Sequence, residues 1–355
     1  MQLPAHGANA AALYKAMNVK MPEQVIDVSE NVNYLGVPKQ VEEEWPNLFV
    51  KIAGYPDEQA EPFRSKAAEF HKVAVQHVVV TNGAAECLMA LAQYFKGKDI
   101  ALLQPTFSEY ARTLKQQDCV IHSILAEDFC HYRFNNELLE KQLKQVHACY
   151  ICNPNNPTGV LLKKHWIEQL IKKFPHCNFV VDEAFMDWTD ESESVVSLVN
   201  TYPNLIVVRS MTKMYALAGI RLGYVIGQNA EKLRNYLPHW NVSAIANEIG
   251  CLCLHDKDFV MESRKTSSKL RSQMVADLQL LGCKVSDSAA NFLLFQLQEQ
   301  YNPDEMFKYL LERGIVLRHT RNYAGLDGKW FRIAVKSEEI WTKCKDELTN
   351  YVKNH

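Results

Sequence analysis

The feature that most constrains this chain is a succession of short, largely apolar runs at residues 77–81, 100–103, 120–124, 148–152, 178–181, 205–208 and 223–227. Runs that read as continuous rather than alternating belong to strands buried on both faces, the situation of a parallel sheet with helices on each side. Helical periodicity fills several of the gaps, at 84–95, 107–117, 163–174 and 214–221. The alternation predicts an α/β fold built on a mainly parallel seven-stranded sheet covered by helices. In such a sheet ligands bind beyond the carboxyl ends of the strands, so the polar residues that follow each run are the ones to inspect.

Beyond about residue 240 the rhythm changes. A long amphipathic segment (257–281) leads to apolar runs at 291–297 and 331–335, with helical patterns at 303–313 and 338–352. This predicts a smaller α+β domain over 239–355 beside a large domain over 51–238. Residues 1–50, with a short helical pattern at 10–17 and an extended stretch at 26–33, form an arm that joins the small domain.

Lys+Arg number 39 and Asp+Glu 41, a formal charge of −2, which offers no positive field for nucleic acid or an anionic membrane. No stretch approaches the roughly 18 consecutive apolar residues of a membrane span. The first residues show no basic segment followed by an apolar core, so the expectation is a cytoplasmic protein. Ten cysteines in 355 residues are sparse, and several sit inside apolar runs, as reduced core thiols do. Cys149-x-x-Cys152 has a redox or metal spacing, but no second pair completes it, and no metal is expected.

Four strand ends carry chemistry. After Thr81 comes Asn82-Gly83-Ala84-Ala85-Glu86, opening a helix whose first amides favour an anion. There is neither GxGxxG nor GxxxxGK[ST], which counts against a nicotinamide dehydrogenase and a P-loop nucleotidase. After Cys152 comes Asn153-Pro154-Asn155-Asn156-Pro157-Thr158-Gly159, a turn whose amide side chains can point inward. After Val181 comes Asp182-Glu183-Ala184-Phe185. A carboxylate there is costly unless paired, so it is either a buried salt bridge or helix cap, or the counter-charge of a cationic ring nitrogen. Last comes Ser210-Met211-Thr212-Lys213 with Arg221 eight residues on, which gathers phosphate donors around an amine.

This ordered set resembles the fold-type I pyridoxal-phosphate enzymes of the aspartate aminotransferase superfamily, over nearly the whole chain. The resemblance implies that Lys213 condenses with the aldehyde of pyridoxal 5′-phosphate, a role suited to an amine whose pKa falls readily on burial. It implies that Asp182 faces the pyridine nitrogen and keeps it protonated, so that the ring becomes an electron sink. Asn156 then donates to the phenolate oxygen and Phe107 stacks on the ring. Ser210, Thr212, Arg221 and the amides of Ala84 and Ala85 hold the phosphate. Tyr55 resembles the tyrosine that reaches the neighbouring subunit's phosphate, which implies a homodimer. Arg332 matches the arginine that binds the substrate α-carboxylate.

Within the superfamily the chain is similar to the histidinol-phosphate aminotransferase-like group, and most of all to its L-threonine-O-3-phosphate decarboxylases of cobalamin synthesis. The likeness lies in residues 5–9, 27–36, 81–86, 322–327 and 331–334. It implies a phosphorylated amino acid as substrate, with Arg318, Arg321 and His6 as candidates for the substrate phosphate and Asn31 for its polar groups. The aminotransferases of the group, the alternative reading, usually carry tyrosine three places after the ring aspartate. Here that residue is Phe185.

Overall fold

The computed structural model describes residues 3–355. After a short β1 (Ile26–Asp27) the strands of the main sheet follow as β2 (Val78–Thr81), β3 (Asp99–Gln104), β4 (Val120–Leu125), β5 (Ala148–Cys152), β6 (Asn178–Asp182), β7 (Leu205–Ser210) and β8 (Gly223–Ile226). In space they lie in the order β2-β8-β7-β6-β5-β3-β4. Neighbours are parallel except around β8, which runs antiparallel to both β2 and β7. Each strand coincides with one of the apolar runs, because helices cover both faces of the sheet. Cys149, Ile151, Phe179 and Val181 pack on one side with Ile167 and Ile171 of helix Lys164–Lys173. Tyr150, Cys152 and Val180 pack on the other with Leu88 and Leu91 of helix Gly83–Tyr94. Strand alternation thus sends Cys149 and Cys152 to opposite faces, and their spacing cannot close on one metal.

The second unit contains β9 (Lys284–Val285), β10 (Phe292–Gln296), β11 (Ile315–Val316), β12 (Arg318–His319) and β13 (Phe331–Ala334). Four of these form an antiparallel sheet in the order β12-β13-β10-β9, while β1 pairs in parallel with β11. Leu293, Phe295, Phe331 and Ile333 share a core with Trp341 and Leu348 and with Leu13 and Tyr14 of helix Ala10–Met17. The Tyr14 hydroxyl donates to the Leu311 carbonyl at 2.8 Å, which ties the N-terminal segment into this core.

Two features differ from the sequence-based expectation. Residues 214–221 are turns, not a helix: Ala216 and Arg221 have φ of 53° and 62°, in the left-handed region that interrupts a helix. The segment has to fold back so that β8 can lie against β7, and the bond from Met211 N–H to the Leu222 carbonyl, 3.1 Å, closes that loop. Helix Ala244–Cys253 packs Ala246 and Ile249 into the larger core rather than the smaller one. The changeover comes along helix Lys257–Leu280, where Phe259 and Val260 still touch the larger core and Leu270, Met274 and Leu278 lie in the smaller. Among the described residues no helix is long and apolar enough to cross a membrane.

Candidate active site

The carboxyl ends of β2, β5, β6 and β7, together with β12, β13 and the N-terminal arm, enclose a cavity of about 550 Å³. Its lining includes Lys213, Asp182, Asn156, Phe107, Ala84, Ala85, Ser210, Thr212 and Arg221 from the large unit, and His6, Asn31, Arg318 and Arg332 from the arm and the small unit.

Asp182 ends β6 and is 5% exposed. Its Oδ1 accepts from the Ala184 N–H at 2.9 Å and its Oδ2 from the Tyr110 hydroxyl at 2.6 Å. Burial pushes its carboxyl pKa up, and these bonds together with the Lys213 charge oppose the shift. Burial, and then the charge of Asp182, hold the Tyr110 hydroxyl well above its ordinary value, so Tyr110 stays the donor. Lys213 lies three residues past β7 with its Nζ 5.9 Å from the centroid of the Phe185 ring. Burial, reinforced by the nearby Arg332 guanidinium, pulls its pKa down to about 8, against the attraction of Glu30 and Asp182.

The three asparagines of the turn divide their labour. Asn153 bonds to both backbone groups of Leu162, at 2.8 and 2.9 Å. Asn155 donates to the Pro105 carbonyl and to Thr158 Oγ1 and accepts from Thr106 Oγ1. Both therefore hold the loop, and Asn156 alone of the three lines the cavity.

At the far end the Arg221 guanidinium lies over Gly83. A Cβ on that glycine would sit 2.7 Å from Arg221 Nη2, and one on Gly223 would sit 2.6 Å from the Ala84 nitrogen. The two glycines thus let the arginine and the start of helix Gly83–Tyr94 close on one point, next to Ser210 and Thr212. Orphan amides, two hydroxyls and a guanidinium converge there as an anion cradle. Phe107 caps helix Ser108–Lys115 and meets Tyr110 edge-on, with centroids 5.6 Å apart.

The opposite wall is built from two arginines. Arg332 Nη1 donates to Asn156 Oδ1 and Nη2 to the Ser29 carbonyl, both at 2.6 Å, and its buried Nε has no partner. Burial lowers its pKa to about 10. Arg318 donates to the carbonyls of His319 and Ala5 and to Asn322 Oδ1, at 2.5, 2.6 and 2.7 Å. Neither guanidinium meets a carboxylate among the described residues. Asn31 is buried with its Oδ1 unpaired. His6 closes the mouth, its ring 2.9 Å from Glu109 Oε1.

Two expected residues lie elsewhere. Arg321 is corrected: it lies past the end of β12, half exposed, bound to Asp304 at the start of helix Pro303–Glu312, and does not line the cavity. Tyr55 is 85% exposed and packs on Trp240 with centroids 4.9 Å apart, away from this chain's own cavity. Sequence reasoning missed Tyr110, Tyr323 and Glu30, all in the lining. Tyr110 had a signal: it follows Phe107 by three residues, a spacing that puts both on one face as the helix begins. Tyr323 lies in the 322–327 stretch that carries part of the resemblance, but its role stayed hidden because Asn156, the neighbour that gives it meaning, is 167 positions away.

The chain matches the family "Aminotransferase class I and II" over residues 23–343. It is 28% identical over 343 residues to a threonine-phosphate decarboxylase from Salmonella typhimurium, covering 94% of this chain and 92% of that one. It is also 28% identical over 337 residues to a histidinol-phosphate aminotransferase from Halalkalibacterium halodurans, covering 92% and 89%. Among solved structures, the histidinol-phosphate aminotransferase from Clostridium acetobutylicum superimposes with a TM-score of 0.87 at 28% identity, covering 92% of this chain and 99% of that one. A second, from Sinorhizobium meliloti in complex with pyridoxal-5′-phosphate, shares the fold with a TM-score of 0.85 at 18% identity, covering 97% and 94%.

Proposed function

The chain belongs to the class I and II aminotransferase family, and from that premise we propose that it is a cytoplasmic decarboxylase of L-threonine O-3-phosphate, yielding (R)-1-amino-2-propanol O-phosphate for cobalamin biosynthesis. At the coarser level it is an enzyme of the pyridoxal-phosphate-dependent aminotransferase and decarboxylase family, with pyridoxal 5′-phosphate as cofactor. The cavity fits that group: its lining brings together a glycine-bordered anion cradle, a buried carboxylate and an amine of lowered pKa that senses the charges of both Arg221 and Asp182.

In this reading Ser210, Thr212, Arg221, Ala84 and Ala85 hold the phosphate, Phe107 packs on the ring, Asn156 donates to the ring oxygen and Asp182 pairs with the ring nitrogen. When bound, the cofactor supplies an electron sink for the pair left on the substrate Cα. The rest falls to the chain. Arg332 binds and orients the carboxylate, and Arg318 receives the substrate phosphate with help from Asn31 and His6. Lys213, its pKa lowered by burial to about 8, would deliver a proton to Cα after CO2 departs.

The observation that carries the proposal is the arginine pair. Arg318 and Arg332 are directly opposite residues of β12 and β13. Like charges opposed across a sheet repel, and among the described residues no carboxylate lies within salt-bridge distance of either; Asp27 acts on Arg332 only at longer range. A ligand with two anionic groups relieves that repulsion, and threonine phosphate carries a carboxylate and a phosphate. Phe185, in place of the tyrosine usual in aminotransferases, supports the decarboxylase further. The second reading, a histidinol-phosphate aminotransferase, is favoured by relatives of equal identity.

We propose a homodimer as the active unit, since Trp45, Phe49, Val50, Ile52 and Tyr55, close together in sequence, are 52–85% exposed, the kind of apolar surface that a partner chain covers. Tyr55 then reaches the neighbouring copy's cradle. The test is parallel incubation of holoenzyme with threonine phosphate and with histidinol phosphate. The proposal requires CO2 from the first with no oxo-acid present. Accumulation of the pyridoxamine form and dependence on an oxo-acid acceptor would establish the aminotransferase instead.

A further inference from the structure

On the proposed cofactor assignment, Asn156 would be the donor to the ring oxygen, with no help from Phe185, which has no hydroxyl. An asparagine side chain is useful there only if its NH2, not its carbonyl, faces the ring, and the surrounding bonds decide which. Its Oδ1 accepts from two donors, Arg332 Nη1 at 2.6 Å and the Tyr323 hydroxyl at 3.2 Å. Nδ2 bonds to no described residue and is left to the cavity.

The two donors differ in what else they must do. Arg332 is the residue proposed to take the substrate carboxylate, so its bond to Asn156 is lost or shared when substrate arrives. Tyr323 is not asked to bind the carboxylate: its hydroxyl proton goes to Asn156, while the phenol oxygen lies beside the Arg318 guanidinium. Its ring is 4% exposed, packed with Leu294, Leu326 and Trp330. The turn behind it is closed by Tyr323 N–H to the Thr320 carbonyl and by Thr320 Oγ1 to the Trp330 carbonyl, at 3.0 and 2.6 Å. The Arg318 guanidinium lies 5.2 Å from its ring centroid and Arg332 shares its acceptor Asn156 Oδ1, so the phenol is close to both arginines.

We propose that Tyr323 is a positioning residue. Its hydroxyl keeps the Asn156 amide turned toward the cofactor when Arg332 leaves for the substrate carboxylate. This rests on the cofactor assignment and not on which of the two reactions the enzyme performs.

The test is the pH midpoint of the visible absorbance of the Lys213-linked cofactor, measured in wild type, Tyr323→Phe, Asn156→Ala and the double variant. The charged groups around Lys213 that also set this midpoint are Arg332, Glu30, Arg221 and Asp182, and all four stay unchanged in the series. Phenylalanine keeps the ring packing, so the variant should fold. Loss of the hydroxyl weakens Asn156 as a donor, leaves the ring oxygen less stabilised and raises the midpoint by roughly half a unit. Acetate added to occupy Arg332 enlarges the shift. In the Asn156→Ala background the same substitution moves nothing. An unchanged midpoint in Tyr323→Phe, or an equal shift with and without Asn156, overturns the inference while leaving the cofactor in place. Absence of any visible absorbance in wild type overturns the cofactor assignment and the inference with it.

Discussion

Two buried arginine sites lie on opposite sides of the Lys213 segment, and they could hardly be more different. Behind it, Arg209 of β7 is held by three carboxylates: Glu183 and Asp187 at 2.9 and 2.6 Å, and Glu191 at 3.2 Å. Glu183 in turn accepts from Ser194 Oγ and the Val195 N–H, both at 2.7 Å. In front, Arg318 and Arg332 line the cavity, donating to carbonyl and amide oxygens with the Tyr323 phenol beside them and no carboxylate in salt-bridge reach among the described residues. The electrostatics follow. Although burial opposes it, the acids hold the Arg209 pKa well above its usual value, whereas burial pulls Arg332 down to about 10. A buried guanidinium that the fold has paired is architecture. One that the fold leaves unpaired carries a stability cost, which an incoming anion offsets.

The contrast can be broken by substitution, and the largest effect is expected behind the site. Arg209→Gln strands buried acids and should cost about 3–5 kcal/mol of stability, read by denaturant unfolding, with substrate preference retained in whatever remains folded. Arg332→Gln should do the reverse. It lowers kcat/KM by about 100-fold through loss of a charge-assisted carboxylate contact, while the melting temperature of the apoenzyme holds or rises. A fall in stability as large as that of Arg209→Gln would erase the distinction.

The third test concerns Lys213. Its folded pKa of about 8 lies below the ordinary lysine value of 10.5, so between those pH values the unfolded chain binds more protons than the folded one. Apoenzyme stability should therefore gain from this group as pH rises from about 8 to 10.5, and capture of the cofactor aldehyde should rise with a midpoint near 8. Arg332→Gln removes a neighbouring positive charge and should move that midpoint upward. The smallest effect is expected from Arg321→Ala, which changes kcat/KM by less than about twofold, since this arginine is half exposed and engaged by Asp304.

The same contrast explains what the sequence made legible. The cradle sits on strand ends, where a few consecutive residues carry the whole signal, so Asp182, Asn156, Ser210, Thr212, Lys213 and Arg221 could be read directly and all line the cavity. Even there, local sequence could not separate neighbours with different tasks. Strand alternation turns Glu183 to Arg209, where it forms the buried salt bridge, and Asp182 to the cavity, where the counter-charge role is the one proposed. The substrate wall is assembled from segments hundreds of residues apart, and whether an arginine there finds an acid depends on tertiary neighbours. Arg318 and Arg321 look equivalent on paper, yet one is enclosed in the wall and the other drawn off by Asp304. The role of Tyr323, though not the stretch that holds it, was hidden for the same reason. The helix expected at 214–221 failed because the return of β8 overrides local periodicity.

The claim that the unpaired arginines receive the two anions is tested most directly by a four-way comparison of kcat/KM: threonine phosphate and threonine, each with wild type and with Arg318→Gln. Wild type should lose at least about 100-fold when the substrate phosphate is removed, and the variant should lose far less, because the contact is already gone. Equal losses in the two enzymes would mean that Arg318 does not hold the phosphate, and the two-anion account would fall.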